Sequence, residues 1–267
     1  MALPFAPLAS MDPSFAILRP TEADIETLAE VYFDAFATDP GNTFWWSSDR
    51  EAMRDWLRAR IRKKMADRNV RHYHIVDNHN NDIVAFARWD IPKGYEAQFG
   101  RWIGGDGALD VSHVMRRDRT EAPDMATGTT APVEEAEPAA TKTMEGPRGA
   151  DPELCRQFFI ILSGLSKKWD AEGMLGLSLL ATSPKYHRRG AAKALLLPML
   201  AIADAAGLRS YLEATPGGRP VYEKLGFRTV EVKEFDLEAL THGKMKGTYK
   251  LSIMIREPQP LERDREG

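Results

Sequence analysis

The chain has 267 residues, 43% of them apolar and 28% charged, and its 36 basic and 39 acidic side chains give a net charge of −3. This composition indicates a globular protein of one large domain or two small ones, and it excludes wholesale disorder. The balance of charge argues against general binding to nucleic acid or to a membrane surface, since both need a concentrated positive field. The single cysteine, Cys155, excludes an intrachain disulfide and a cysteine-rich zinc site.

The first predicted elements follow a proline-containing N-terminal tail, residues 1–14. A short strand begins at Phe15 and ends at Arg19. A helix follows, because Thr21 and Asp24 have the spacing of a capping box and the apolar residues after them recur at helical intervals.

A second helix is predicted from Ser48, where Glu51 completes another capping box. One of its faces is basic and carries Arg54, Arg58, Arg62 and Lys63. This face is typical of a solvated helix surface. A nuclear-localisation signal or a patch for an acidic partner is the alternative.

Two strands, 71–76 and 83–89, come next and are joined by a turn rich in Asn and Asp. Residues 118–152 then form an insertion rich in Pro, Ala, Thr and Glu, without apolar periodicity. Such a segment buries too little apolar surface to offset its ordering entropy. We expect a flexible surface insertion, with a lid over a substrate site as the alternative.

After the insertion, Asp151 and Pro152 predict the start of a helix that ends by Gly173. The segment 175–182 is apolar almost throughout, which predicts a central strand buried on both faces. The later predicted elements are a helix at 189–206, a strand at 210–214, a short helix at 219–225, strands at 229–235 and 248–255, and a charged C-terminal tail at 257–267. Strands and helices mixed in this way favour an α/β or α+β fold around one mixed sheet.

The segment 187–192, between the central strand and the following helix, has the chemistry of a pyrophosphate site. Gly190, Ala191 and Ala192 are small and let a ligand approach the backbone, and the first amides of a helix have no intrahelical partner. The helix dipole adds partial positive charge there, and Arg188 and Arg189 add fixed charge. The segment matches neither a Walker loop nor a Rossmann glycine motif.

About thirty residues later the chain reads Pro-Val-Tyr-Glu-Lys-Leu-Gly-Phe, residues 220–227. With the 187–192 motif, this pattern resembles the GNAT superfamily of acyl-CoA-dependent N-acetyltransferases, and the element order is similar to that of uncharacterised fungal members. The resemblance implies one domain, residues 15–256, with a mixed, mostly antiparallel central sheet flanked by helices and a splayed central strand.

The resemblance also implies acetyl-CoA as cosubstrate, with coenzyme A as the product, and no metal. The pantetheine arm would pair with the central strand and the pyrophosphate with the loop amides. Tyr222 would protonate the leaving thiolate. The residues assigned to the cofactor in this way are Leu180, Ala181, Thr182, His187, Arg188, Arg189, Gly190, Ala191, Ala192, Lys193 and Tyr222.

The general base is not settled by the resemblance, because members often carry an acid on the central strand and residues 175–182 contain none. Glu213 on the next strand is the first choice and Asp90 the second; His74 and His113 are further alternatives. Three departures stand beside this one. His187 replaces a Gln or Arg, Gly217-Gly218 replaces an asparagine, and Pro198 should kink its helix or end it early.

We therefore expect an N-acetyltransferase that moves acetyl to a primary amine by direct attack in a ternary complex, with a small amine as acceptor. The alternatives are a lysine or N-terminal acetyltransferase of proteins, a non-catalytic acyl-CoA-binding regulator, and a chromatin-binding regulator. No apolar run nears a membrane span of ~20 residues, which favours a cytoplasmic protein, with the nucleus left open. A homodimer is left open. Seven aromatic residues are candidates for an acceptor pocket or for core: Phe44, Trp45, Trp46, Trp89, Tyr95, Phe99 and Trp102.

Overall fold

The strands of the chain form one sheet with helices on both faces. The structure, a computed structural model, describes residues 11–100 and 145–260. In these ranges the strands are β1 (Phe15–Leu18), β2 (Val70–Asp77), β3 (Asp82–Asp90), β4 (Leu175–Thr182), β5 (Ser210–Ala214), β6 (Arg228–Asp236) and β7 (Thr248–Arg256). The helices are α1 (Ile25–Phe36), α2 (Pro40–Thr43), α3 (Arg50–Met65), α4 (Pro152–Lys168), α5 (Ala191–Ala205), α6 (Arg219–Glu223) and α7 (Leu237–Leu240).

The strand order is β1-β2-β3-β4-β5-β7-β6. Neighbouring strands are antiparallel except β4 and β5, which are parallel. The expected mixed, mostly antiparallel sheet is confirmed. The predicted strands are all present, whereas α2, α7 and a 3-10 turn at Pro184–Tyr186 were not predicted.

The two faces of the sheet are covered by different helices. Alternate residues of β3 show this, because Ala85 and Ala87 pack with α5 while Phe86 packs with α1 and α3. Towards β7 that second face is covered by α4, whose Leu165 packs with Tyr211 and Ile253. Cores on both faces make the sheet a rigid frame for the strand ends.

The aromatic candidates for an acceptor pocket are largely core. Phe44, Trp45, Trp89 and Phe99 are buried. Trp46 and Tyr95 are partly buried and pack against the core clusters, and Trp102 lies outside the described residues. Trp45 stacks on Phe158 of α4 with ring centroids 5.6 Å apart. At Gly41, beside this cluster, an added Cβ would overlap the ring of Tyr249.

The basic face of α3 is paired with acids on α1 and in the turn before it. Four rungs join the two helices, and the closest nitrogen–oxygen distances are 2.6 Å in three of them and 3.8 Å in the fourth. From one end to the other the rungs are Glu22–Arg62, Glu26–Arg58, Glu30–Arg54 and Asp34–Arg50. The two helices run antiparallel. From one rung to the next, the acid therefore moves four residues towards the C-terminus and its arginine four residues towards the N-terminus. We call these pairs the ion-pair ladder.

Several local expectations are corrected. The N-cap of α3 is Asp49, whose carboxylate accepts from the amides at positions 51 and 52, and not Ser48. The helix α5 continues for seven residues after Pro198, so the proline does not end it early. Residues 145–152 of the predicted insertion pack on the domain, where Trp56 Nε1 donates to the Glu145 carbonyl at 2.7 Å; residues 118–144 lie outside the described residues.

Within the described residues, no helix combines the length and apolar character needed to cross a membrane.

Candidate active site

The parallel strands β4 and β5 diverge after a short contact. They pair at three positions, and the last pair is Leu177 with Leu212. Among the described strands, Glu213 and Ala214 beyond this fork pair only with β7, and residues 179–182 pair only with β3. The expected splayed central strand is confirmed, and one edge of β4 keeps backbone donors and acceptors that no described strand uses.

A β-bulge coincides with the fork. Leu177 lies opposite Trp89 and Leu179 opposite Arg88, so Ser178 between them has no partner on β3. The extra residue reverses the facing of the strand: Leu177 packs on the α5 side, whereas Leu179 packs on the α1 side. Ser178 itself is exposed. This corrects the expectation that the strand is buried on both faces throughout.

The loop after β4 enters α5 through left-handed backbone. Arg188 has φ 65° and Gly190 has φ 84°, a region that non-glycine residues seldom adopt. The first backbone bond of the helix runs from the Ala194 amide to the Gly190 carbonyl at 3.0 Å. The amides before it therefore lack helical acceptors and suit an anion. His187 Nε2 lies 3.1 Å from the Thr182 carbonyl, so its ring contacts the end of β4.

The side chain of Arg189 is turned away from this loop. Its Nε and Nη2 donate to Asp12 at 2.9 and 2.7 Å, and Nη1 donates to buried Asp77 at 3.4 Å. The guanidinium also lies 4.5 Å above the ring of Phe15. Hydrogen bonds from Ser14, and then from Arg189, lower the pKa of Asp12 to about 2. The expected free charge of Arg189 is thus already balanced, and its guanidinium anchors the loop from behind.

The cations that remain on the loop are exposed, at Arg188 and Lys193. With the free amides they give the loop net positive character. The free amides and the exposed cations thus fit the predicted pyrophosphate site. The side chain of Arg189 does not fit the role assigned to it there, because it is paired with Asp12 and Asp77.

Tyr222 lies on α6 at the end of the fork. It is 8% exposed, and its ring packs edge-on against Phe227 at 6.0 Å. Its carbonyl accepts from the amides of Leu225 and Phe227 at 2.9 and 3.1 Å, which fixes the turn after α6. Within the described residues its hydroxyl has no recorded hydrogen bond, and burial raises its pKa above the usual value of a phenol. The phenol therefore stays protonated at neutral pH.

The two candidate bases lie on one face of the sheet. Glu213 accepts a hydrogen bond from the Tyr211 hydroxyl at 3.0 Å, and burial raises its pKa, with a smaller contribution from the negative charge of Asp90. Asp90 is paired with Lys64 Nζ at 3.3 Å. It lies opposite Gly176, where an added Cβ would be 3.5 Å from the Asp90 Cβ. The pKa of Glu213 is thus shifted towards neutral pH, as a general base requires, and Glu213 lies on the strand that leaves the fork.

The two histidine alternatives differ in outcome. His74 is 2% exposed beside Phe86, and burial lowers its pKa, so the neutral form is favoured. His113 lies outside the described residues. Among the described residues no group of three or more His, Cys, Asp or Glu side chains could hold a metal ion.

Sequence reasoning missed one residue of the site. Arg88 is buried beneath the bulge and contacts Ser178. The signal was present, since an arginine interrupts the otherwise apolar strand Ile-Val-Ala-Phe-Ala-Arg-Trp.

Comparisons with known proteins agree with this geometry. Residues 167–249 match the family model described as an acetyltransferase (GNAT) domain, and no curated protein matches the chain significantly. A solved Corynebacterium glutamicum structure, described as histone acetyltransferase HPA2 and related acetyltransferase, is 21% identical, with 93% of this chain and 99% of that one covered and a TM-score of 0.52.

A yellow fever mosquito structure assigned as arylalkylamine N-acetyltransferase 7 is 13% identical, with 92% of this chain and 88% of that one covered and the same TM-score, 0.52. At these identities the structures show a shared fold and nothing of the acceptor. The matched residues include the loop before α5, the fork and Tyr222. The chain therefore has the fold of the GNAT acetyltransferases, and its residues 167–249 match the domain model of that family.

Proposed function

We propose that the protein is an acetyl-CoA-dependent N-acetyltransferase that transfers acetyl to the primary amine of a small molecule by direct attack in a ternary complex. One observation carries the proposal. The fork between β4 and β5 opens directly beside the anion-binding loop at the start of α5. A ligand with a pyrophosphate and an amide-containing arm fits these two features together.

The residues present suit acyl-CoA in two ways. The free edge of β4, from Leu179 to Thr182, offers backbone groups to the amides of a pantetheine arm. The amides of 188–193, with the exposed cations Arg188 and Lys193, suit its pyrophosphate. Bound acetyl-CoA would supply an acetyl thioester at the fork.

The proton transfers are assigned to two side chains. An alkyl ammonium ion with a pKa near 10.4 must lose a proton before its nitrogen can attack, and Glu213 accepts that proton. As the carbon–nitrogen bond forms and the carbon–sulfur bond breaks, the Tyr222 hydroxyl would protonate the leaving sulfur. The nitrogen would then lose its second proton to water, and water would return a proton to Tyr222. Burial raises the pKa of both groups, which keeps the phenol protonated and makes the carboxylate a stronger base.

The acceptor class rests on charge. Glu213 lies on the strand that leaves the fork, and Asp90 lies opposite Gly176, close enough for its charge to raise the pKa of Glu213. Together the two carboxylates would attract an ammonium ion. The two solved neighbours are named for a histone and an arylalkylamine, so they do not agree on an acceptor. The ion-pair ladder balances Arg54, Arg58 and Arg62 of the basic face of α3, which removes most of the charge that the chromatin hypothesis needs. We propose a cytoplasmic protein with no nucleic-acid partner.

The first test is a calorimetric titration with acetyl-CoA of the wild type and two glycine variants. Gly190→Glu places bulk and negative charge in the loop, at a left-handed position. Gly207→Glu is the matched control, because Gly207 is also left-handed, at φ 63°, but lies at the other end of α5. We expect micromolar binding that is lost in the first variant and kept in the second.

An amine panel assayed by thiol release then identifies the acceptor class, with a lysine-containing peptide as the protein-like comparison. Release with small amines supports the proposal, and release with the peptide alone contradicts its acceptor. Tight binding without release from any acceptor would indicate a non-catalytic acyl-CoA-binding protein. A wild type that does not bind acetyl-CoA would refute the proposed function.

A further inference from the structure

Arg88 is a buried cation that no carboxylate pairs within the described residues. It lies on β3 and is 2% exposed. Burial is the main cause that lowers the pKa of its guanidinium, to about 10, and it remains charged at neutral pH. A charge removed from water without an ion partner is costly, so its position requires an explanation.

The guanidinium is directed at one residue of the neighbouring strand. Its Nε donates to Ser178 Oγ at 2.9 Å, and its Nη2 donates to the Ser178 carbonyl at 3.1 Å. The Ser178 hydroxyl in turn donates to the Arg88 carbonyl at 3.3 Å. Within the described residues, Nη1 has no hydrogen-bond partner. Both polar groups of a single serine are thus held by one arginine.

Ser178 is the bulged residue of β4, and it follows the last pair between β4 and β5. A bulge leaves a residue outside the ladder and is weakly held by the backbone itself. The contacts from Arg88 replace the missing ladder bonds at that point. They fix both the reversal of side-chain facing and the direction in which β4 leaves the fork.

We propose that Arg88 is a positioning residue for the acyl-CoA site: by holding Ser178 in the bulge, it aligns the free edge of β4 for the pantetheine arm. This role of Arg88 rests on the proposed acetyltransferase function only because that function identifies acyl-CoA as the ligand. The alignment itself is a property of the strand and can be measured without a ligand.

Stability alone does not account for this arrangement. A buried charge without an ion partner carries a desolvation cost, and an apolar side chain of similar volume does not carry this cost. We therefore expect Arg88→Met to fold and to lose the alignment. Arg88→Lys keeps the charge but not the two-pronged donor geometry and should recover part of the function. Ser178→Ala removes one of the two acceptors and keeps the carbonyl.

The experiment compares two ligands on these variants. Acetyl-CoA uses both the loop and β4, whereas adenosine 3′,5′-bisphosphate lacks the pantetheine arm and cannot reach β4. We expect Arg88→Met to raise the Kd for acetyl-CoA about tenfold, the equivalent of one charge-assisted hydrogen bond. The Kd for the bisphosphate should stay unchanged. Arg88→Lys and Ser178→Ala should give smaller increases.

Hydrogen exchange of the free protein provides the readout without a ligand. In Arg88→Met the amides of residues 178–182 should exchange faster, while those of β6 and β7 keep their wild-type rates. Equal weakening of both ligands, or faster exchange throughout the sheet, would mean a general structural role and overturn the proposal. Unchanged binding and unchanged exchange would also overturn it. If the wild type binds no acetyl-CoA, the proposed function fails, and the local exchange still decides whether Arg88 aligns β4.

Discussion

Replacement of Tyr222 by phenylalanine separates its chemistry from its packing. The ring is buried and packs against Phe227, and phenylalanine keeps these contacts. Within the described residues the hydroxyl has no recorded hydrogen bond. Because phenylalanine keeps the packing of the ring and the described residues give the hydroxyl no hydrogen bond to lose, the free energy of unfolding should stay nearly unchanged.

The effect on turnover should be large. A general acid contributes roughly 10²–10⁴-fold to a rate, so we expect kcat of Tyr222→Phe to fall by at least about a hundredfold. The Kd for acetyl-CoA should stay within about twofold, since the proposed binding groups are the β4 backbone and the loop amides.

The assay is the initial rate of thiol release at saturating acetyl-CoA, with thermal unfolding measured on the same preparations. The ordinary pKa of a tyrosine phenol is about 10. Since burial raises the pKa of Tyr222 above this value, the wild-type phenol should stay protonated at pH 10. An unchanged kcat with unchanged unfolding would remove Tyr222 from the mechanism. A clearly lower unfolding temperature would contradict the expectation that phenylalanine keeps the packing of this ring.

Three further predictions concern the base, the loop and the core. The value of kcat/KM should fall as the pH decreases through the raised pKa of Glu213. The Asp90→Asn variant removes a negative charge that raises this pKa, so the acidic limb of its profile should move to lower pH. A shift of the limb to higher pH would contradict the assignment. Arg189→Gln should lower the unfolding temperature, whereas Arg188→Gln should leave it unchanged and weaken acetyl-CoA binding. Thermal unfolding and calorimetry distinguish the two variants, and the reverse pattern would refute the role of Arg189 as the anchor of the loop. Gly41→Ala should destabilise the protein by about 1–3 kcal/mol in denaturant unfolding, since the new methyl overlaps an aromatic ring, and unchanged stability would show that the ring can move.

The helices and strands, and the glycine-dependent entry into α5, could be predicted because their signals are local. The capping pair Asp151–Pro152 starts α4 as expected, and Gly190 has the left-handed backbone that its loop needs. Alternation and helical spacing likewise located β2, β3 and α5. The resemblance to the GNAT superfamily correctly implied the splayed sheet. The similarity to fungal members stays a prediction.

What could not be predicted depends on pairing between distant segments. Nothing in the sequence of β4 distinguishes Ser178 as a bulge, because the extra residue is defined by its register with β3. The anchoring of Arg189 depends on Asp12, which is far away in the sequence. The partners of the α3 arginines lie on another helix. The choice of Glu213 or Asp90 as general base also stays a prediction. Burial and neighbouring charge determine which of the two carboxylates has a raised pKa, and the sequence alone shows neither.

The ion-pair ladder has a consequence for how this sequence can change over time. All acids of the four rungs lie on one helical segment and all bases on the other. A single reversal, such as Glu26 to Lys, would place two cations together, and the reversal of Arg58 would then relieve it. We expect divergent relatives to exchange charge at these positions in pairs, always between a residue and its rung partner. The four rungs would thus appear as coupled columns in a deep alignment.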